Sequence, residues 1–299
     1  NAGYSSNNIF IGHNAGVGGS GRLTDSVAIG RNALMSTGAN AATGIIAIGH
    51  YALTDLTTGT STTVIGYEAG LSLTTGNNNT LIGYQAGRLL THSSNVAIGT
   101  LAFDAATSAE DSVVIGVLAG SDITTGDKNV LLGYRAGDNA STLGNSIGIG
   151  FESLGGANST LLTGANATVA IGYQAAGNAS GNWGNGVYIG YLAGNHDTSG
   201  GNVAVGYRAM ETASGSAMTK NTAIGILSQQ NISYDNSQNN TSLGWGTLQA
   251  GSVTGQIKDN VAIGMGALAA VTSAIGNTAI GGRSTLAGIT TGDNNVAIG

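Results

Sequence analysis

A short aliphatic segment that ends in glycine recurs seventeen times along the 299 residues, and successive glycines lie 16 to 22 residues apart. Most of these anchor glycines follow an Asn, Ser or Thr by four positions, and a small residue, usually Ala, comes three positions later. A unit this short cannot bury a hydrophobic face alone, so the period predicts a solenoid of stacked coils. The anchors are Gly12, Gly30, Gly49, Gly66, Gly83, Gly99, Gly116, Gly133, Gly150, Gly172, Gly190, Gly206, Gly225, Gly244, Gly264, Gly281 and Gly299.

The residues before each anchor alternate, as in the segment 95–99, which reads Asn-Val-Ala-Ile-Gly. Alternation predicts a short strand with Val96 and Ile98 on one face and Asn95 and Ala97 on the other. We expect the large aliphatic side chains to point inward, so Asp at Ile98 or Ile171 should destabilise the coil strongly. Turn sequences such as Thr-Thr-Gly-Asn at 74–77 close the coil. Helical periodicity is absent, so the predicted fold is an all-β solenoid with one coil per repeat.

We interpret residues 1–299 as one continuous repeat array, with irregular coils at 150–190 and 225–244. Both ends of the sequence fall inside a repeat, which favours an excerpt of a longer fibre. One thin coil buries little apolar area, and the small Ala residues would let another layer approach closely. We therefore expect a parallel homotrimer, with chains side by side or intertwined.

Composition narrows the classes of function. The formal net charge is −6 with no basic cluster, which argues against nucleic-acid binding. There is no cysteine for a disulfide or thiolate, and no apolar run long enough to insert into a membrane. The four histidines are dispersed without metal-ligand spacing, and no motif for nucleotide binding or nucleophilic catalysis occurs. We expect no enzyme activity, metal or cofactor; Glu110 and Asp111 are the pair to test for polysaccharide cleavage.

Two side-chain columns recur in the repeat. Asn four positions before the anchor predicts an internal amide ladder, with ligand coordination as the alternative. An aromatic residue often follows the anchor, as at Tyr67 and Tyr84, and predicts either a stacking or inter-subunit ladder or a surface for sugars. For recognition of a specific ligand we single out aromatic residues in or beside the irregular coils: Trp183, Tyr188, Tyr234 and Trp245.

The segment 221–225, Asn-Thr-Ala-Ile-Gly, resembles head repeats of trimeric autotransporter adhesins. The longer segment 82–87, Ile-Gly-Tyr-Gln-Ala-Gly, is more similar to repeats of phage tail fibres. Both resemblances imply a homotrimeric β-solenoid used for attachment. A left-handed β-helix of hexapeptides fits less well, because each coil has one such hexapeptide rather than three. An ice-binding solenoid is disfavoured because regular Thr-x-Thr rows are missing.

From these residues and resemblances we expect an extracellular attachment protein, most closely a phage tail fibre in the virion. Its expected partners are two further copies of the chain and a glycan or protein of the host cell surface. The main alternative is a bacterial surface adhesin or extracellular filament; a polysaccharide-degrading tailspike is a weaker one.

Overall fold

The computed structural model of the chain describes residues 6–18, 21–36, 38, 41–155, 162–163, 166–178, 184–213, 218–250 and 253–299. None of these residues is helical, and the fold is a parallel β-solenoid. The predicted all-β solenoid is therefore confirmed. The chain forms two compact units, residues 1–145 and 146–299, which are described separately.

The described residues of unit 1 form twelve strands, and eight of these make up its main parallel sheet. Each of the eight main strands directly precedes an anchor glycine. The strands are β1 (Ile9–Ile11), β2 (Leu23–Thr24), β3 (Val27–Ile29), β4 (Ala42–Thr43), β5 (Ile46–Ile48), β6 (Gly59–Thr60), β7 (Thr63–Ile65), β8 (Thr80–Ile82), β9 (Val96–Ile98), β10 (Val113–Ile115), β11 (Val130–Leu132) and β12 (Ala140–Thr142). The short strands β2, β4 and β6 form a second parallel sheet.

Unit 2 has the same plan, and nine strands of its described residues belong to the main sheet. Seven of them end directly before an anchor glycine, and the two that begin at Val261 and Thr278 continue through Gly264 and Gly281. The strands are β13 (Ile147–Ile149), β14 (Leu162–Thr163), β15 (Val169–Ile171), β16 (Val187–Ile189), β17 (Val203–Val205), β18 (Thr222–Ile224), β19 (Thr241–Leu243), β20 (Ile257–Lys258), β21 (Val261–Met265), β22 (Ala274–Ile275), β23 (Thr278–Arg283) and β24 (Val296–Ile298). Its second parallel sheet consists of β20 and β22.

Equivalent repeat positions lie directly above one another. In β9 and β10, for example, Ala97 pairs with Val114 and Ile98 pairs with Ile115. Sixteen of the seventeen anchor glycines have φ between +113° and +146°, a region that side chains rarely allow. An ideal Cβ on most of them would also strike the carbonyl of the next anchor glycine. The repeat glycines selected from the sequence, Gly66, Gly83, Gly99, Gly133, Gly172, Gly206 and Gly264, all have this conformation.

The predicted direction of the strand side chains is wrong. The middle residue of each main-sheet strand from β3 to β19 is buried, as at Ala97 and Ala204, whereas the flanking aliphatic residues, such as Ile98, are at least partly exposed. The asparagine four positions before the anchor shares the inner face with the middle residue, because strand side chains alternate. The side-chain amide of this asparagine makes its hydrogen bonds inside the coil. Because Ile98 and Ile171 alternate with the inward-facing residues, they lie on the outer face. An Asp at either position would therefore not place a charge in the core.

The core is filled by pairs of residues whose sizes compensate. The middle strand residue and the residue six positions later meet inside the coil, so a large side chain at one position requires a small residue at the other. A Cβ on Gly87 would lie 2.9 Å from Leu81 Cδ2, and one on Gly137 would lie 2.7 Å from Leu131 Cδ1. Where the strand residue is Ala97, the later position holds the fully buried Phe103. Each coil thus keeps a similar interior volume with a different pair.

The internal asparagine ladder is confirmed, most clearly in unit 2. The Oδ1 atom of Asn260 accepts hydrogen bonds from the backbone N–H of Asn277 at 3.0 Å and from its side-chain amide at 3.1 Å. The Asn260 amide donates to Asn240 Oδ1 at 3.0 Å and to the Ala274 carbonyl at 2.9 Å. These amides are buried, so their hydrogen bonds join successive coils where water cannot compete.

Candidate functional site

The structure does not bring the four aromatic residues chosen from the sequence together into one site. Trp183 lies outside the described residues. Tyr234 is 40% exposed in a turn between β18 and β19, and Trp245 is 53% exposed directly after the anchor Gly244. Neither of these two rings stacks on another aromatic ring of the described residues. They remain two separate exposed aromatic side chains.

Tyr188 is not on the surface, so the prediction that it offers an exposed ring is wrong. It is the middle residue of β16 and is fully buried. Its ring occupies space that a Cβ on Gly186 or Gly194 would fill, which makes it the largest case of the size compensation within a coil. The repeat position, two residues before Gly190, was the sequence signal for burial.

The Tyr188 hydroxyl belongs to a buried polar cluster. It donates to Asp197 Oδ2 at 2.6 Å, and the Asn202 amide donates to the same oxygen at 2.8 Å. The backbone N–H of Ser199 donates to Asp197 Oδ1 at 2.9 Å. Burial raises the pKa of the Asp197 carboxyl, and burial beside this carboxyl raises the pKa of Tyr188. The cluster closes the coil between Gly190 and Gly206, and we assign it a structural role.

The aromatic residues that follow the anchors form stacked columns. In unit 2, the centroids of Phe151 and Tyr173 are 5.1 Å apart, those of Tyr173 and Tyr191 are 5.0 Å apart, and those of Tyr191 and Tyr207 are 5.3 Å apart. The interplanar angles are 4°, 12° and 10°. The predicted stacking ladder is confirmed, and its inner rings have both faces covered by neighbouring rings.

A second exposed feature is the outer face of each main sheet. The first and third residues of the strands form two columns of Val, Ile, Leu and Thr side chains, and Ile115 and Ile189 are each 37% exposed. Neighbouring main strands pair first residue with first and third residue with third, so similar side chains follow one another along the stack. Each unit therefore has an apolar outer face whose described side chains are at least partly exposed.

Acidic residues are spread over unit 1. Burial, followed by the neighbouring Asp138, raises the pKa of Asp122, and burial raises the pKa of Asp104. Glu110 and Asp111 are exposed, and the backbone N–H of Glu110 bonds to Asp127 Oδ1 at 2.9 Å. Among the described residues, no group of three or more His, Cys, Asp or Glu side chains is arranged to hold a metal ion.

The described part of the chain contains no helix long and apolar enough to span a membrane. No protein-family model matches the sequence, and no curated protein matches it significantly. The sequence interpretation did not identify the outer face, although the asparagine that precedes many of the main strands, such as Asn95, indicates which face lies inside.

Proposed function

We propose that this chain forms part of an extracellular attachment fibre, built as a parallel homotrimer and most similar to a phage tail fibre. The observation that carries the proposal is the apolar outer face of the main sheet. A row of partly exposed Val and Ile side chains on a soluble protein favours contact with another protein surface. Further copies of the same chain would present the same columns at the same spacing.

The size of this face supports an interface between copies. A standard interface buries about 800 Å² on each partner. Unit 1 has eight main strands with two outward side chains each, so each side chain would need to contribute about 50 Å². A one-third exposed Ile presents an area of that order. A parallel arrangement about an axis along the stack would let every coil make the same contact.

Light scattering on the 29.3 kDa chain tests the assembly, with a mass three times that of the chain as the expected result. Ile115→Asp puts a charge on the outer face and should dissociate the trimer while the circular dichroism spectrum stays that of a β protein. Thr125→Asp, at an exposed position outside the main sheet, is the matched control and should remain trimeric. A folded wild-type monomer would contradict the proposed assembly.

Attachment is tested separately with the fluorescently labelled protein and a panel of bacterial cells. We expect saturable binding to susceptible cells, with loss after periodate treatment if a glycan is the receptor and after protease treatment if a protein is. A trimer that binds no cell type would leave the fibre without an attachment role. Release of reducing sugar from host polysaccharide, lost in the Glu110→Gln and Asp111→Asn variants, would replace attachment by a degrading function.

A further inference from the structure

The dipeptide Asn-Gly occurs once in the chain, at Asn185 and Gly186, directly before β16. Asn185 is exposed, and its side-chain amide has no hydrogen-bond partner among the described residues. At the same repeat position of another coil, the amide of Asn239 donates to Asp259 Oδ1 at 2.8 Å. Because Asn185 lacks such a bond, its side chain is free to turn toward the backbone that follows it.

The backbone N–H of Gly186 also lacks a partner in the described part of the chain. Gly186 occupies the repeat position of the ladder asparagine, where the N–H of Asn221, for example, donates to Asn202 Oδ1 at 2.9 Å. In the coil before Gly186 this position is Thr168, whose hydroxyl donates instead to the Asn166 carbonyl at 3.4 Å. The Gly186 nitrogen therefore has no hydrogen bond to break before it reacts.

The packing of Tyr188 requires the glycine at position 186. A Cβ on Gly186 would collide with the buried Tyr188 ring, so this coil has no room for a larger residue there. Glycine also lacks the side chain that would hinder approach of the backbone nitrogen to the amide carbon of the preceding residue. Asparagine is already among the chemically labile residue types. The size compensation inside this coil thus places the least hindered neighbour next to an exposed, unbonded asparagine.

We propose that Asn185 is a site of spontaneous deamidation in the folded protein. The Gly186 nitrogen attacks the side-chain carbonyl carbon of Asn185, and the amide nitrogen leaves with the Gly186 proton as ammonia. Water then opens the cyclic succinimide at one or other of its carbonyl carbons, which gives aspartate or isoaspartate at position 185. The reaction needs no reactant other than water. The inference does not depend on the proposed attachment function.

The two products should differ in their effect on the coil. Aspartate fits, because Asp111 occupies the same repeat position with φ of +55° and Asn185 has φ of +61°. Isoaspartate instead adds a methylene to the main chain between two backbone hydrogen bonds. The Asn185 N–H donates to the Asn166 carbonyl at 2.9 Å, and the Gly186 carbonyl accepts from the Val169 N–H at 2.9 Å. The longer main chain cannot keep both bonds without strain, so isoaspartate should destabilise the coil.

The test is incubation of the purified folded protein at mildly alkaline pH, followed by peptide mass spectrometry and isoaspartate-specific methylation. We expect Asn185 to deamidate about tenfold faster than Asn145, which corresponds to a barrier lower by about 1.4 kcal/mol. Asn145 is the matched control, because it is exposed at the same repeat position with φ of +54° but is followed by Ser146. The chain denatured in urea provides the reactivity of both sites without the fold.

A melting experiment separates the reaction from its structural effect. The Asn185→Asp variant should melt at the same temperature as the fresh wild type, whereas incubated wild type that contains isoaspartate should melt lower. The proposal is overturned if Asn185 stays intact in the folded protein while the denatured chain deamidates there. It is also overturned if Asn145 reacts as fast as Asn185 in the folded protein, because the glycine and the unbonded groups would then have no effect.

Discussion

The compensation of residue sizes inside each coil makes a prediction about Leu81 and Gly87. Leu81 is fully buried in β8, and an ideal Cβ on Gly87 would lie 2.9 Å from its Cδ2 atom. Leu81→Ala should reduce the free energy of unfolding by about 3–5 kcal/mol, because it removes buried carbon and leaves a cavity. Gly87→Leu should cost about 1–3 kcal/mol or more, since the new side chain collides with Leu81.

The double variant, Leu81→Ala with Gly87→Leu, should recover most of this loss. It recreates the arrangement of other coils, where Ala47 is followed by the fully buried Leu53. The backbone permits this exchange, because Leu53 has φ of +51° and Gly87 has φ of +56°. We expect the double variant to lie within about 1.5 kcal/mol of the wild type, as volume-conserving exchanges do.

Urea denaturation followed by circular dichroism measures all four proteins of this cycle. The expected coupling free energy is favourable by about 3 kcal/mol or more, which is at the upper end for residues in contact. Additive effects, with the double variant the least stable protein, would refute the argument that the two positions share one interior volume.

Three further predictions concern unit 2. Gly206→Ala should reduce the free energy of unfolding by more than about 3 kcal/mol, because an Ala at φ of +139° is strained and its Cβ would lie 2.5 Å from the Gly225 carbonyl oxygen. The control Gly201→Ala has φ of +66° and open space around the new Cβ, so it should cost about 1 kcal/mol in the same denaturation experiment. Equal costs for the two variants would contradict the predicted clash. Tyr188→Phe should cost about 1.5–3 kcal/mol, because the buried Asp197 loses a donor; a melting temperature unchanged from wild type would argue against that bond. Burial raises the pKa of Asp197, so the folded protein binds this proton more tightly than the unfolded chain does. Proton binding by Asp197 therefore contributes fully to stability below the ordinary Asp pKa of about 4, and this contribution is lost as pH rises through the raised pKa. Stability measured against pH should lose this component in Asp197→Asn, and identical profiles would contradict it.

The sequence predicts the solenoid, the anchor glycines and the asparagine ladder, because each depends on a residue type recurring at a fixed position. It does not predict the inner face by alternation alone, since both faces of segments such as 96–98 are apolar. The buried amide of Asn95 decides the direction, and this requires knowing that its partners lie in neighbouring coils. Tyr188 shows the same limit: its aromatic character suggests a surface role, whereas its place in the middle of β16 buries it.

The direction of the strand side chains is the central claim, and thiol reactivity in β10 tests it most directly. The chain has no cysteine, so Val113→Cys, Val114→Cys and Ile115→Cys each introduce a single thiol by a large-to-small exchange. The structure predicts that the thiol at position 114 reacts with a maleimide only after denaturation, whatever the state of assembly, because Val114 is fully buried. If the folded protein reacts at position 114 as fast as the denatured chain, while positions 113 and 115 are protected, the account is wrong.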